Sequence, residues 1–133
     1  MNTKIDKIFT EISAGELVDK ITILEIKKLK IKDKTKLKIV NQELSLLKKV
    51  VLTKRINRRK LAPTIKQLKN INLQLWNVED KLRIFEKNKS FKKDFVNYAR
   101  KVYHMNDKRA FLKNEINIKT NSLISEVKSY EEY

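Results

Sequence analysis

A chain of 133 residues with a single glycine, Gly15, and a single proline, Pro63, has few ways to turn sharply. β-Sandwiches and barrels need turn residues about every 8–12 positions, so they are nearly excluded. The apolar residues recur instead three and four apart, the period of a helix that buries one face. This pattern predicts an all-α fold: an antiparallel helical bundle of about four long helices plus a short C-terminal helix, in one domain over residues 1–133.

The helix boundaries follow from local signals. Residues 1–12 read as an N-terminal arm. Ser13-Ala14-Gly15-Glu16 reads as a capping box, in which the Ser13 hydroxyl and the Glu16 carboxylate each serve the other's amide. The first helix carries Leu17, Ile21, Leu24 and Ile31, and Asp33-Lys34-Thr35 interrupts it. The second runs to Thr53 with Leu37, Val40, Leu44, Leu47 and Val51 in a coiled-coil-like seam. These two form a first hairpin over 13–53. A second hairpin covers 63–120, with Pro63 expected in the first turn of its leading helix. Ser90 is the expected N-cap of its other helix, and Asn106-Asp107 a place where that helix could break. Asn121-Ser122 is expected to cap the short last helix within 121–133.

Composition narrows function. There is no cysteine, so disulfides and thiolate chemistry are excluded, and the lone His104 cannot build a histidine metal cluster. No metal and no cofactor are expected. No apolar run approaches the ~20 residues of a membrane span, and no signal-peptide stretch is present; the expectation is a cytoplasmic protein that does not engage membranes. The net charge is +16, and it is unevenly placed: residues 27–69 hold 16 Lys and Arg against Asp33 and Glu43 alone. Such a block suits a polyanion.

The third and fourth helices add polar stripes beside their apolar seams. Asn72, Trp76, Glu79, Arg83 and Glu86 are spaced four, three, four and three; Arg100, Tyr103 and Asp107 repeat that spacing, followed by Asn106, Arg109, Lys113 and Asn117. Three of only six arginines, Arg83, Arg100 and Arg109, fall in these stripes of a chain that otherwise uses lysine. A guanidinium fork suits carboxylate or phosphate where an ammonium does not.

These residues also carry a resemblance. Ser13 through Lys27 (SAGELVDKITILEIK) is similar to the opening signature of an uncharacterised family of small bacterial and phage proteins, a domain of unknown function. Leu75-Trp76, Glu79-Asp80, Arg83 and Glu86 resemble its middle motif. Phe91, Phe95, Ala99-Arg100, Val102-Tyr103, Asn106-Asp107, Arg109, Lys113 and Ile116-Asn117 resemble its third. Ser122, Glu126 and Lys128-Ser129-Tyr130 resemble its end. The resemblance spans Ile12 to Tyr133 and implies no activity. Residues 28–70 are more basic than the family pattern.

The expected function is a binding module. A cleft between the first, third and fourth helices would gather Lys20, Glu25, Trp76, Glu79, Arg83, Arg100, Tyr103, Asn106, Arg109 and Lys113 around an anionic small molecule or acidic peptide. Within it, Glu79, Arg83 and Arg100 are expected to converge and be at least partly buried. An alternative is nucleic-acid binding by the basic segment 27–69, through Lys48, Lys49, Lys54, Arg55, Arg58 and Arg59. A metal-independent enzyme in the same cleft is a further alternative. A homodimer follows if the polar residues serve only helix register.

Overall fold

The Ser13 hydroxyl accepts the Glu16 amide at 3.0 Å and so starts the first helix, as its sequence signal predicts. In the computed structural model, which describes residues 4–133, the helices are α1 (Ala14–Lys30), α2 (Lys34–Thr53), α3 (Arg58–Lys87) and α4 (Lys93–Thr120). No strand occurs among the described residues, and none of the helices there is long and apolar enough to cross a membrane. Residues 4–12 form the exposed, non-helical arm.

Three helices stop without glycine. Arg55, Lys89 and Asn121 take the left-handed conformation, with φ of 54°, 53° and 53°. The amides just beyond them, of Ile56, Ser90 and Ser122, return to the carbonyls of Val51, Phe85 and Asn117. This is the Schellman closure, made at some conformational cost in non-glycine residues. It explains three departures from the sequence reading. Ser90 closes α3 rather than capping α4, which begins after Lys92 with no side-chain cap. Asn121 ends α4, and the Ser122 hydroxyl accepts the Ala14 amide at 3.1 Å. With its capping group spent on α1, the segment 121–133 forms no helix, so the predicted short C-terminal helix is absent; nucleating a helix in so short a stretch is costly. The pair Asn106-Asp107 does not interrupt α4.

Asn57, not the neighbourhood of Pro63, starts α3: its side chain accepts the Lys60 amide at 3.1 Å. Pro63 therefore lies inside the helix. Both Ala62 and Pro63 are exposed, so the ring and its missing N–H fall on the solvent side, where an interior proline is least disruptive.

The core has two parts, one on each side of α1. Leu17, Ile21 and Leu24 pack on Val40, Leu44 and Val51 of α2. Val18 packs with Leu61 and Leu68 of α3 and Leu112 and Ile116 of α4. Ile56, in the α2–α3 turn, touches both. The helix α1 contacts the three others, whereas α2 contacts α1 alone. Beyond the end of α1, the α3–α4 hairpin continues as a two-helix tip held by edge-on rings, Phe85 on Phe95 and Phe91 on Phe95.

Candidate functional site

Gly15 sets the spacing of α1 and α4. A Cβ there would lie well inside contact distance of the Lys113 carbonyl, so only glycine permits this approach. The Gly15 amide donates to Asn117 Oδ1 at 2.6 Å. The first-turn amides that a helix leaves open are thus served partly by α4 and by Ser122 just beyond it.

One turn further along α1, this close approach buries Asp19, whose side chain is 1% exposed. Arg109 grips it with Nε to Oδ1 at 3.0 Å and Nη2 to Oδ2 at 2.5 Å. Asn72 Nδ2 donates to Asp19 Oδ1 at 2.8 Å and to Thr22 Oγ1 at 2.9 Å. The Thr22 hydroxyl in turn donates to the Asp19 carbonyl. Lys113 Nζ, 3.9 Å from Asp19 Oδ2, bridges Glu16 at 2.7 Å and Glu126 at 3.0 Å. The Glu16 carboxylate therefore faces Lys113, and the second half of the expected capping box is not made.

Every buried side-chain polar atom among the described residues has a partner, as burial requires. The hydrogen bond to Asp19 raises the Arg109 pKa against the pull of desolvation. Burial pulls the Lys113 ammonium down, but its bonds to Glu16 and Glu126 more than offset this and leave it raised. The same contact lowers the Glu126 carboxyl.

Asn72 and Arg109 are also the floor of a cleft of about 490 Å³ between α1, α3 and α4, walled by Trp76, Glu79, Asp80, Arg83 and Asn106 with Ile23, Ile26 and Leu75. It thus gathers five of the ten residues singled out for a ligand: Trp76, Glu79, Arg83, Asn106 and Arg109. The other five lie elsewhere. Lys20 is exposed and lines no part of the cleft. Glu25 pairs with Lys69 across α1 and α3 at 3.0 Å. Lys113 is held by its acids. Tyr103 lines a neighbouring groove of about 700 Å³ under the C-terminal segment, with Lys128, Tyr130 and Tyr133. There the Tyr133 hydroxyl donates to Asp107, which pushes its pKa up to about 12.

Arg100 sits outside both, its Nε donating to the Tyr103 hydroxyl at 3.3 Å. Glu79 and Arg83 share the cleft, but with Arg100 they are exposed, and none of the three is in an ion pair among the described residues. The expected partly buried cluster of Glu79, Arg83 and Arg100 is therefore not formed. Arg100 lies six residues before Asn106, the first α4 residue of the cleft, and lines no part of it. The six basic candidates, Lys48, Lys49, Lys54, Arg55, Arg58 and Arg59, are all exposed on and after α2.

The centre of the network, Asp19, and its partner Thr22 stand beside Lys20 and Glu25 in the sequence but are not among the residues expected at the ligand, because adjacent Asp and Lys in a first turn suggest surface. Their spacing does hold a signal: Gly15, Asp19 and Thr22 are four and three apart, one stripe of small and polar residues on a helix whose other stripe is apolar.

A family model, described as a family of unknown function (DUF6165), matches residues 8–133. No curated protein and no solved structure matches the chain.

Proposed function

The chain belongs to that family of unknown function, and from this premise we propose that it is a binding module holding a small polar molecule in the cleft beside Trp76. One observation carries the reading: the cleft's charges divide into committed and uncommitted groups. Arg109 is neutralised by Asp19, while Glu79, Asp80 and Arg83 on the wall have no ion-pair partner among the described residues. The cleft has no cationic surplus, because Lys113 is spent on Glu16 and Glu126 and Lys20 and Arg100 lie outside. A ligand suited to what remains carries a carboxylate or phosphate for Arg83 and a cationic or hydrogen-bond-donating group for Glu79 and Asp80. The indole of Trp76 offers a face for stacking or for a cation. An acidic peptide fits this wall poorly.

The lining has no Ser, Thr, Cys, His, Lys or Tyr, which favours holding over turnover. A metal-independent enzyme in this cleft would have to work through Glu79 and Asp80 as acid and base. A cytoplasmic setting suits a chain without cysteine.

Trp76 is the only tryptophan, so intrinsic fluorescence reports on the cleft directly. Titration with small zwitterions, phosphomonoesters and amines is expected to give a saturable change with compounds bearing both charges. Arg83→Ala, and separately Glu79→Gln with Asp80→Asn, should abolish it while leaving the helical circular dichroism unchanged. Absence of any saturable response across the three classes, or full retention in Arg83→Ala, overturns the reading.

A further inference from the structure

The fold leaves most of the basic segment without acidic partners. Of its 16 Lys and Arg, Lys69 alone forms an ion pair among the described residues. The acids of α1 are already taken, Asp19 by Arg109, Glu16 by Lys113 and Glu25 by Lys69.

At about 3.6 residues per turn, Lys34, Lys38, Asn41, Ser45, Lys48 and Lys49 share one exposed arc of α2. Glu43, the only acid of α2, lies on the opposite flank of its buried line Val40, Leu44 and Val51. The 20 residues of α2 make this arc about 30 Å long. At its end the chain adds a second cationic feature. Lys54 and Arg55 of the α2–α3 turn, Lys60 of α3 and Lys119 of α4 line a cavity of about 270 Å³ that has no acid in its wall.

We propose that α2 and the α2–α3 turn form a surface for the phosphate backbone of a nucleic-acid duplex. Lysines interleaved with Asn and Ser on a straight rod donate to phosphate oxygens, and they position a duplex without reading bases. No aromatic residue occurs between residues 27 and 69, so single strands would find no stacking platform. A membrane-surface helix needs an apolar face beside its lysines. The main apolar face of α2 is spent on α1, its exposed Ile39, Leu46 and Val50 keep to the flank of Glu43, and Leu52 stands alone on the lysine arc.

The test is fluorescence anisotropy of the full chain with a labelled mixed-sequence DNA duplex of about 20 base pairs, from about 50 to 200 mM salt. Affinity should be indifferent to sequence and fall about a hundredfold over that range, as release of about four counterions requires. The quadruple change Lys34→Glu, Lys38→Glu, Lys48→Glu and Lys49→Glu should cost about tenfold or more. The change Lys87→Glu, Lys92→Glu, Lys93→Glu and Lys101→Glu alters net charge equally in the α3–α4 tip and should cost about threefold or less. Circular dichroism checks that both variants fold. Equal losses in the two variants, no binding at the lowest salt, or tighter binding to phosphatidylserine vesicles than to the duplex would each overturn the proposal.

Discussion

The two long sides of α1 meet their neighbours by different physics. Toward α2 the contact is Leu, Ile and Val only, with no side-chain hydrogen bond between the two helices among the described residues. Toward α3 and α4 the apolar packing of Val18 is joined by a polar contact, Gly15, Asp19 and Thr22 against Asn72, Arg109, Lys113 and Asn117, nearly all buried. Apolar burial is non-directional and scales with area; it holds α2 in place without dictating register strongly. A bidentate pair is directional, and a one-turn slip would leave Asp19 buried and unpaired. Charge follows the same division. The α3–α4 side carries a compensated network with a cleft above it, and the α2 side carries uncompensated cations.

The contrast is broken most severely by cutting the network on one side. Arg109→Ala leaves Asp19 buried without its fork and should destabilise the fold by about 3–5 kcal/mol. The outcome should fall toward the lower end, because Lys113 is 3.9 Å away. Replacing both partners, as Asp19→Leu with Arg109→Met, should be near neutral in urea denaturation. If the double variant is as unstable as the single, the network contributes net stability and the contrast is wrongly drawn.

A smaller effect is expected from Gly15→Ala, which pushes a methyl against the Lys113 carbonyl. A loss of about 1–3 kcal/mol should appear together with faster exchange of the Gly15-flanking amides. A neutral result would mean that α1 and α4 can separate without cost, and that the polar side is the looser one.

The smallest effect is in pH. Glu126 has a lowered pKa, so its contribution is present above the ordinary value of 4.5 and is lost as pH falls through its folded value. Lys113 has a raised pKa, so its contribution is present below 10.5 and is lost as pH rises through its folded value. Thermal melts should therefore show a plateau between these limits, and Glu126→Gln should lower it, make its acid limb shallower and bring its alkaline limb to lower pH, because Glu126 helps hold the Lys113 pKa up. A pH slope inside the plateau would point to groups other than these two.

The apolar side of this comparison was legible in sequence and the polar side only in part. Leu17, Ile21 and Leu24, and Val40, Leu44 and Val51, announce themselves by spacing, because burying an apolar face needs only a period. Ser13 was legible because its cap is local. Pro63 and Ser90 misled because the stops and starts around them are set by Asn57 and by left-handed Lys89, residues with weak signals. Asp19 was hidden because its burial depends on Gly15 admitting α4 and on Arg109 arriving from ninety residues away. The cleft was half legible: Trp76, Glu79 and Arg83 share a stripe on one helix, but which α4 residues face them depends on the axial offset between α3 and α4. Local periodicity does not encode that offset, and so Arg100 and Lys113 were placed together with Arg109.

The Ala14 amide finds its acceptor in Ser122, 108 positions later. Chains emerge from the ribosome N-terminus first, so α1 is made early and completed late. During synthesis the α1–α2 hairpin can bury its apolar side at once, while Asp19, Glu16 and the first amides of α1 stay in water until α4 appears. The nascent hairpin is thus a half-finished helix pair whose other side must wait in solution, and a carboxylate at position 19 leaves Val18 with a polar neighbour there until its apolar partners on α3 and α4 exist.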